Sequence, residues 1–403
     1  MHIAVFYQYY HNPDCALTGR HYTFLKHWAQ RHEVTLITTR VWHDRRITDD
    51  FPWVPPGVRL HMLDVPYDNT MGSLRRMMAF QHFAAGALLK GLTIPRPDVI
   101  FGTSTPLTAA WVAARVAHLR RVPWVFEVRD LWPDFPIQMG ALPQPWLQRR
   151  LHALERRLYQ SAAHIIPLST DMEAHIRAQG IPLECITTLV NGTDFDLLDA
   201  CSDEETEALR ARHSLTGKRV VLYGGSFGRA NDLPTLLQAA VRLQYRDDLR
   251  FVFIGQGYEE DQVRVAAESH PGIILLPPQP RHRMFHWFKI ADLSLVSFID
   301  LPVLATNSPS KFFDSLAAGT PVIVTNPGWT KTFVETHGCG WYVPAGRPEA
   351  LAQGLETALN DPSGLALAGQ QGAAVARRAF DRVVLAERLE AVLQAAARSP
   401  RDA

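Results

Sequence analysis

Short apolar runs rich in β-branched residues alternate with segments of helical periodicity along both halves of the chain. In the first half the runs predict six strands, at Ile3–Tyr7, Val34–Thr38, Val58–Leu63, Val99–Phe101, Trp124–Glu127 and Ile165–Leu168. The segments between them predict helices near residues 19–31, 71–90, 106–119 and 145–160. This alternation is typical of parallel sheets whose faces are covered by helices.

The same alternation starts again after a turn signal at Asn191–Asp194 and a charged stretch at Ser202–Arg212. Strands of the second half are predicted at Arg219–Tyr223, Phe251–Ile254, Ile273–Leu276, Leu293–Val296 and Val322–Thr325. The sequence therefore predicts an α/β protein with two doubly wound, Rossmann-like units joined by one linker.

Size, charge and cysteine content narrow the class of protein. The 403 residues suffice for two domains, and 41 basic against 40 acidic residues give no net charge that would favour nucleic acid. The four cysteines have no C-x-x-C spacing, which argues against a common zinc pattern and predicts reduced thiols. The start of the chain lacks a basic signal-peptide region, and no window reaches the ~18–20 apolar residues of a membrane span. We therefore expect a cytoplasmic protein.

The most informative segment is S-P-S-K-F-F-D-S-L-A-A-G-T-P-V-I-V, which begins at Ser308. Ser308 suits a helix cap, Pro309 suits the first turn and Gly319 suits the end, so a short helix is predicted. The positive end of its dipole lies beside Lys311, which favours an anionic group such as phosphate. Asp314 follows one turn later. A cation for phosphate and a carboxylate for hydroxyls predict a nucleotide-sugar site, and an ordinary capped helix with a surface lysine is the alternative.

This segment resembles the donor-binding motif P-S-K-x-x-E of the retaining glycosyltransferases of family four, which have the GT-B fold. The resemblance implies that Ser310 and Lys311 bind the donor, Lys311 at the diphosphate, and that Asp314 contacts the nucleotide ribose. Asp314 stands where the family has glutamate, and Thr306 stands where it has a further acid. The identity of the donor sugar therefore cannot be carried over.

The resemblance extends over nearly the whole chain and implies its domain organisation. Residues 1–195 would form an acceptor-binding domain, completed by a C-terminal helix at 380–403 that crosses back to it. Residues 196–379 would form the nucleotide-sugar-binding domain, with the ligand in the cleft between the two.

A glycine-rich turn from Gly224 to Asp232 lies between a predicted strand and a predicted helix. Glycines allow backbone N–H groups to approach phosphate, and Arg229 adds a planar fork of donors. The family has such a turn here, which implies donor contacts from Gly225, Ser226 and Gly228 and a diphosphate contact from Arg229. A turn that only packs a strand against a helix is the alternative.

A charged turn, R-D-L-W-P, starts at Arg129, at the carboxyl end of a predicted strand. It is similar to a motif of family-four enzymes that transfer N-acetylated amino sugars in bacterial surface-polysaccharide assembly. The resemblance implies that Asp130 lies in the cleft beside the donor sugar or the acceptor. The alternative is a buried ion pair of Arg129 with Asp130 or Glu127 that only fastens the loop.

Two further segments correspond to family loops. The stretch from Ala16 to His21 stands where the family has a glycine-rich loop, which implies backbone contacts of Thr18 and Gly19 with the donor and contacts of Arg20 or His21 with the acceptor. A satisfied histidine on the helix surface is the alternative for His21. Pro277–Arg281 stands where the family seats the nucleotide base through backbone groups, so no side chain is predicted to act there.

The predicted helix at 71–90 combines wide apolar coverage with Arg75, Arg76 and Lys90. This pattern suits a core helix whose arginines reach solvent, and it also suits a peripheral contact with a membrane. A lipid-linked acceptor, which is usual in the resembling subgroup, would favour a location at the inner face of the membrane.

Together these features predict a retaining glycosyltransferase that moves an N-acetylamino sugar from a UDP-sugar to a glycan or lipid-linked acceptor. Arg229, Lys311 and Asp130 are the predicted catalytic residues, and binding of the diphosphate by cations predicts independence from metal ions and other cofactors. Two other classes stay open. One is a nucleotide-sugar epimerase or hydrolase, and the other is a non-catalytic binding subunit of a transferase complex, which the loss of the acid at Thr306 allows.

Overall fold

The computed structural model describes residues 1–15, 19–40, 46–67 and 71–398. These residues contain two six-stranded sheets in which every pairing is parallel. The strand orders are β3-β2-β1-β4-β5-β6 and β12-β11-β10-β7-β8-β9. Each order reverses direction once, beside β1 and β7, which gives each sheet a topological switch point where ligands bind in such folds. The predicted α/β architecture of two Rossmann-like domains is confirmed.

The first domain contains the strands β1 His2–Phe6, β2 Glu33–Thr39, β3 Val58–Leu63, β4 Val99–Thr103, β5 Trp124–Val128 and β6 His164–Pro167. Its helices are α1 Arg20–Trp28, α2 Ser73–Thr93, α3 Leu107–Arg120, α4 Asp134–Gln138, α5 Pro145–Ser161 and α6 Thr170–Ala178. All six predicted strands of this half are present, with ends that differ by at most two residues.

The second half begins with α7 Phe195–Asp199 and α8 Asp203–Arg212. Its strands are β7 Arg219–Gly224, β8 Leu249–Ile254, β9 Ile273–Leu276, β10 Leu293–Val296, β11 Val322–Val324 and β12 Gly340–Tyr342. Its helices are α9 Leu233–Arg242, α10 Glu260–Ser269, α11 Arg281–Ile290, α12 Pro302–Ala305, α13 Ser310–Ala317, α14 Trp329–His337, α15 Pro348–Leu359 and α16 Pro362–Ala379, before the last helix α17 Arg382–Arg398. The short edge strand β12 was not predicted, because its sequence, Gly-Trp-Tyr, lacks the β-branched run that marks β11.

Apart from the partly exposed edge strand β3, both faces of the first sheet are buried, which explains why its strands read as continuous apolar runs. On β1, Ile3 and Val5 belong to the cluster that includes residues of α1 and α17. Ala4 and Phe6 face the opposite way and join the cluster that contains residues of α2 and α3.

The last helix crosses back to the first domain, as the predicted architecture requires. Trp28 on α1 donates a hydrogen bond from its indole to the carbonyl of Ala386 at 3.2 Å. His27 and Glu390 pair at 2.9 Å across the same contact. Helix α17 therefore belongs to the core of the first domain, although it follows the second in sequence.

Helix α2 has one buried and one exposed face. Phe83 and Ala87 are fully buried, whereas Leu74 and Met78 are 66% and 63% exposed. The core interpretation therefore holds for the C-terminal half of the helix, and the N-terminal half presents apolar side chains to solvent. Within the described residues, no helix has the length and hydropathy needed to cross a membrane.

Candidate nucleotide-sugar site

Helix α13 starts at Ser310, two residues after the predicted cap. Pro309 is the N-cap residue and provides no side-chain hydrogen bond. The hydroxyl of Ser308 instead accepts from the backbone N–H of Asn191, at 3.4 Å. The predicted capping role of Ser308 is therefore wrong. Without a side-chain cap from Pro309, the positive end of the helix dipole remains available to an anion.

Lys311 lies in the first turn of α13 with its charged end inside the protein. Its Nζ is buried, 3.7 Å from the centroid of the Tyr223 ring, and has no hydrogen-bond partner among the described residues. Burial lowers the pKa of Lys311 to about 7. Because a buried ammonium without an acceptor is costly, this position is suited to receive an anionic ligand.

The glycine-rich turn after β7 meets this lysine, as predicted. Gly225 has a φ of +143°, and a Cβ atom there would lie 3.1 Å from Lys311 Nζ. A side chain at this position would therefore crowd the ammonium and whatever it binds. The backbone of the turn is held by Tyr223, whose hydroxyl donates to the carbonyl of Ser226 at 2.8 Å.

Arg229 follows in a short 3₁₀ helix, Arg229–Asn231, for which Gly228 is the N-cap residue. The guanidinium of Arg229 lies 3.8 Å from the centroid of the Tyr258 ring, and Tyr258 is 71% exposed. This stacking restricts a cation that is otherwise open to solvent. Arg229 therefore offers an accessible fork of donors, whereas Lys311 offers a buried point charge.

Asp314 is buried and already paired. Both guanidinium Nη atoms of Arg281 donate to its carboxylate, at 2.8 and 2.6 Å, and the hydroxyl of Thr193 donates to it at 2.7 Å. Its contact with the nucleotide ribose stays a prediction.

Asp130 lies at the carboxyl end of β5, on the other domain. Its carboxylate accepts from the hydroxyl of Thr105 at 3.0 Å, and the N–H groups of Arg129 and Asp130 both donate to Ser104. Burial raises the pKa of Asp130, against the opposing effects of Arg129 and Thr105. A carboxyl group that is partly desolvated at the edge of a parallel sheet is a candidate for chemistry.

Arg129 is fastened by a buried chain of polar side chains. It donates to Nδ1 of His21 at 3.0 Å, and His21 donates from Nε2 to Glu127 at 2.7 Å. Burial lowers the pKa of His21 to about 4. Burial alone would raise the pKa of Glu127, but His21 and Arg20 lower it to about 2. The chain therefore holds a neutral histidine between a cation and a carboxylate.

Arg20 and His21 lie in the core and not at the surface. Arg20 is 0% exposed and donates to Glu127 and to the carbonyls of Leu189 and Val190. His21 is 2% exposed, so its interpretation as a helix-surface histidine is wrong. The acceptor contacts of Arg20 and His21 stay predictions.

Gly19 is the N-cap residue of α1, and its carbonyl accepts from the backbone N–H of Tyr22 at 2.9 Å. Thr18 lies outside the described residues, together with Ala16 and Leu17. The backbone donor contacts of Thr18 and Gly19 therefore stay predictions.

The geometry agrees with the families that the sequence matches. Residues 22–192 match the family described as "Glycosyl transferase 4-like domain", and residues 205–375 match "Glycosyl transferases group 1". The two matches cover the greater part of both domains. The chain is a family-four-type glycosyltransferase with the GT-B fold.

Similar proteins share this assignment. "Probable glycosyltransferase WbjE" of Pseudomonas aeruginosa is 25% identical over 75% of this chain and 76% of its own length. WcaI of Escherichia coli strain K12, by name a colanic acid biosynthesis glycosyl transferase, is 23% identical over 87% of this chain and 90% of its own. The crystal structure of Anabaena HepE with UDP-glucose has a TM-score of 0.72 at 16% identity, over 98% of this chain and 100% of that one. The likeness to HepE shows that the two chains share a fold.

Sequence reasoning missed three side chains of the site. Two of them, Tyr223 within β7 and Tyr258 just after Gly257, stack against the two cations and have no motif of their own. Arg281 lies in the segment that was assigned only backbone contacts. Arg281 stands at the start of α11, where the helix dipole disfavours a cation. That position was a signal that a nearby carboxylate must neutralise the arginine.

Proposed function

We propose that this glycosyltransferase moves a sugar from a UDP-sugar to an acceptor hydroxyl in the synthesis of a surface polysaccharide, glycan or glycolipid. The observation that carries the proposal is the buried ammonium of Lys311, which has no acceptor among the described residues and lies at the start of α13 against Gly225. The UDP-glucose bound to HepE and the colanic acid named for WcaI support the donor class and the product class. The R-D-L-W-P turn favours an N-acetylamino sugar as the group transferred.

The proposed chemistry rests on charge that develops on the leaving diphosphate. As the bond from the sugar C1 to the phosphate oxygen breaks, the electron pair moves onto the diphosphate, beside Lys311, Arg229 and the α13 dipole. These groups interact more strongly with that transition state than with the intact donor, which lowers the barrier. The site functions through these cations, without a metal ion.

Retention of configuration is the proposed stereochemical course. A glycosidase-type mechanism needs two carboxylates that flank the bond. Asp130 is one candidate, but Asp314 is neutralised by Arg281 at 2.6 and 2.8 Å. The acceptor oxygen would therefore attack C1 from the face of the leaving group, with its proton passing to the departing phosphate oxygen. Asp130 would accept a hydrogen bond from the donor sugar or from the acceptor.

We also propose that the acceptor binds to the first domain and that α2 contacts a membrane surface at its cytoplasmic face. Leu74, Met77 and Met78 are 66%, 52% and 63% exposed beside Arg75 and Arg76. Apolar side chains flanked by cations favour the interface of an anionic bilayer. A lipid-linked acceptor would be presented there.

The direct test compares Lys311→Ala and Arg229→Ala with the wild type, using calorimetry with UDP, GDP and ADP and donor turnover with each sugar conjugate. Each substitution should cost about 2–4 kcal/mol of transition-state stabilisation. Lys331→Ala is the matched control, because Lys331 also lies over a tyrosine, 4.6 Å from the Tyr342 ring, without facing the glycine turn.

A folded Lys311→Ala protein that turns over like the wild type would contradict the proposal. Conversion of the donor without any acceptor would indicate an epimerase or a hydrolase instead. Nucleotide binding that yields turnover only after a partner protein is added would indicate a binding subunit.

A further inference from the structure

Asp314 occupies the motif position that the family uses to bind the nucleotide ribose, but its contacts indicate a structural role. The carboxylate is 5% exposed, and the side chain of Arg281, also nearly buried, forms a two-pronged contact with both of its oxygens. Thr193 adds a third hydrogen bond, at 2.7 Å. A bidentate pair between arginine and carboxylate is among the strongest side-chain contacts in proteins.

Little acceptor capacity is left for a ligand. A carboxylate offers about four lone-pair positions, and three hydrogen bonds already use most of them. Two ribose hydroxyls would therefore have to displace Arg281 or Thr193. The residue type points the same way, because aspartate is one methylene shorter than glutamate and holds its carboxylate closer to its own helix.

Arg281 has a second carboxylate partner, which explains why it is fixed so firmly. Its Nε donates to Asp194 at 2.5 Å. Asp194 also accepts from Arg382 at 2.5 Å and from the hydroxyl of Thr23 at 2.6 Å. Burial would lower the pKa of Arg281, but Asp314 and Asp194 raise it, so the guanidinium stays charged.

These partners lie where the chain passes between the domains. Thr193 and Asp194 belong to the first crossing, and Arg382 begins α17 at the second. The two crossings are hydrogen-bonded to each other, from the N–H of Thr193 to Phe380 at 2.8 Å and from the N–H of Arg382 to Thr193 at 3.1 Å. Arg281 therefore joins the donor helix to the hinge of the molecule.

We propose that Asp314 and Arg281 form a positioning pair that fixes α13, and with it Lys311, against the two interdomain crossings, and that Asp314 does not bind the ribose. The pair lies one helical turn after Lys311, so a tilt of α13 displaces both. The inference rests on the proposed function, because it assigns a part of the same donor site.

The decisive experiment compares UDP with 2′-deoxy-UDP and 3′-deoxy-UDP by calorimetry, in the wild type, Asp314→Asn and Arg281→Met. We expect the ratio of affinities for UDP and each analogue to be unchanged within about twofold in both variants. Equal affinity of the wild type for all three nucleotides would also support the inference. If Asp314→Asn abolishes a preference for UDP that Arg281→Met retains, Asp314 binds the ribose and the inference is wrong.

Turnover provides a second readout. Both single variants should lower kcat/KM for the donor, Arg281→Met more than Asp314→Asn because it also loses the pair with Asp194. The double variant should be no worse than Arg281→Met, which has already lost the pair with Asp314. Multiplying losses would contradict a shared role. Restoring the family residue with Asp314→Glu should also lower turnover, because the longer side chain disturbs the contact, whereas a ribose ligand should tolerate it or bind more tightly.

Hydrogen exchange tests the positioning role without any nucleotide. Loss of the pair in Asp314→Asn should reduce protection of the backbone amides of Thr193 and Arg382, at the crossings, while the amides of the central strand β1 stay protected. Unchanged protection at both crossings would overturn the inference. Failure of the wild type to bind UDP would refute the proposed function, and exchange would still decide whether Asp314 and Arg281 fix the hinge.

Discussion

At the scale of single residues, burial makes Lys311 a candidate to bind an anionic ligand. The ammonium of Lys311 lies 3.7 Å from the Tyr223 ring centroid and has no acceptor within the described part of the chain. The ring face partly offsets the lost hydration, but it does not replace a hydrogen bond. A bound diphosphate would supply both negative charge and hydrogen-bond acceptors to Lys311, so its interaction with the ammonium would be favourable.

This arrangement predicts that UDP binding weakens as pH rises. Burial lowers the pKa of Lys311 to about 7, so above this pH the free amine is increasingly neutral and must take up a proton to bind a diphosphate. The dissociation constant should rise between pH 7.5 and 9, by at most about tenfold per unit, in calorimetric titrations. A Lys311→Met variant should show weak binding without that slope. A flat profile in the wild type would show that the ammonium stays charged without its ligand.

Thr306 shows the opposite case, a motif position that has lost its charge. Its hydroxyl donates to the carbonyl of Val303 at 2.8 Å, and its own carbonyl accepts from Ser169 at 2.6 Å. Both groups of the residue are therefore engaged in structure. The side chain does not replace the acid found in the family, which agrees with a donor-sugar contact that differs from the family's pattern.

At the scale of elements, helix α2 joins two environments. Its C-terminal part packs Phe83 and Ala87 into the first core, and its N-terminal part leaves Leu74 and Met78 more than 60% exposed. Single exposed apolar residues are ordinary on protein surfaces, but several on one helix end beside arginines form a patch.

This patch predicts binding to anionic vesicles. Replacing Leu74 and Met78 together by Gln should reduce co-sedimentation by about tenfold or more, because each buried apolar side chain contributes about 1.5–3 kcal/mol. Leu367→Gln is the matched control, since Leu367 is 55% exposed on α16 of the other domain and should not matter. An equal loss from the control, or no loss from the pair, would remove the proposed membrane contact.

At the scale of the whole molecule, side chains of the first domain hold segments of the second that flank the donor helix. Asp171 on α6 accepts from the N–H of Trp329, the first residue of α14, at 2.8 Å. Gln138 on α4 accepts from the N–H of Val303 on α12 at 3.0 Å. A helix of one domain is thus capped by a carboxylate of the other, which links the stability of that helix to the contact between the two domains.

This cross-domain cap predicts that Asp171→Ala both destabilises and opens the protein. Loss of an aspartate cap should cost about 0.5–2 kcal/mol of unfolding free energy. X-ray scattering should also show a larger radius of gyration. Asp361→Ala is the control, because Asp361 caps α16 within one domain, accepting from Gly364 at 2.9 Å, and should cost similar stability without opening. Equal radii for both variants would show that Asp171 does not hold the cleft closed.

The sequence alone determined the fold, and it predicted two of the segments that form the candidate donor site. Apolar, β-branched runs give strands a readable signal, so all eleven predicted strands lie where the pattern placed them, within two residues. The glycines of the β7 turn and the short helix with Lys311 were also readable, because local backbone chemistry requires those residue types. Their meeting at the cleft follows from the parallel topology.

Only the tertiary structure decided what charged side chains do once they are brought together. Nothing local distinguishes Asp314 as a ribose ligand from Asp314 as the partner of Arg281, 33 residues away in the chain. Arg20 and His21 lie buried against Glu127, more than 100 residues distant, a contact that no local pattern predicts. The preference of a carboxylate for solvent, ligand or arginine depends on burial and on distant partners, and those are set only when the two domains and the returning helix pack.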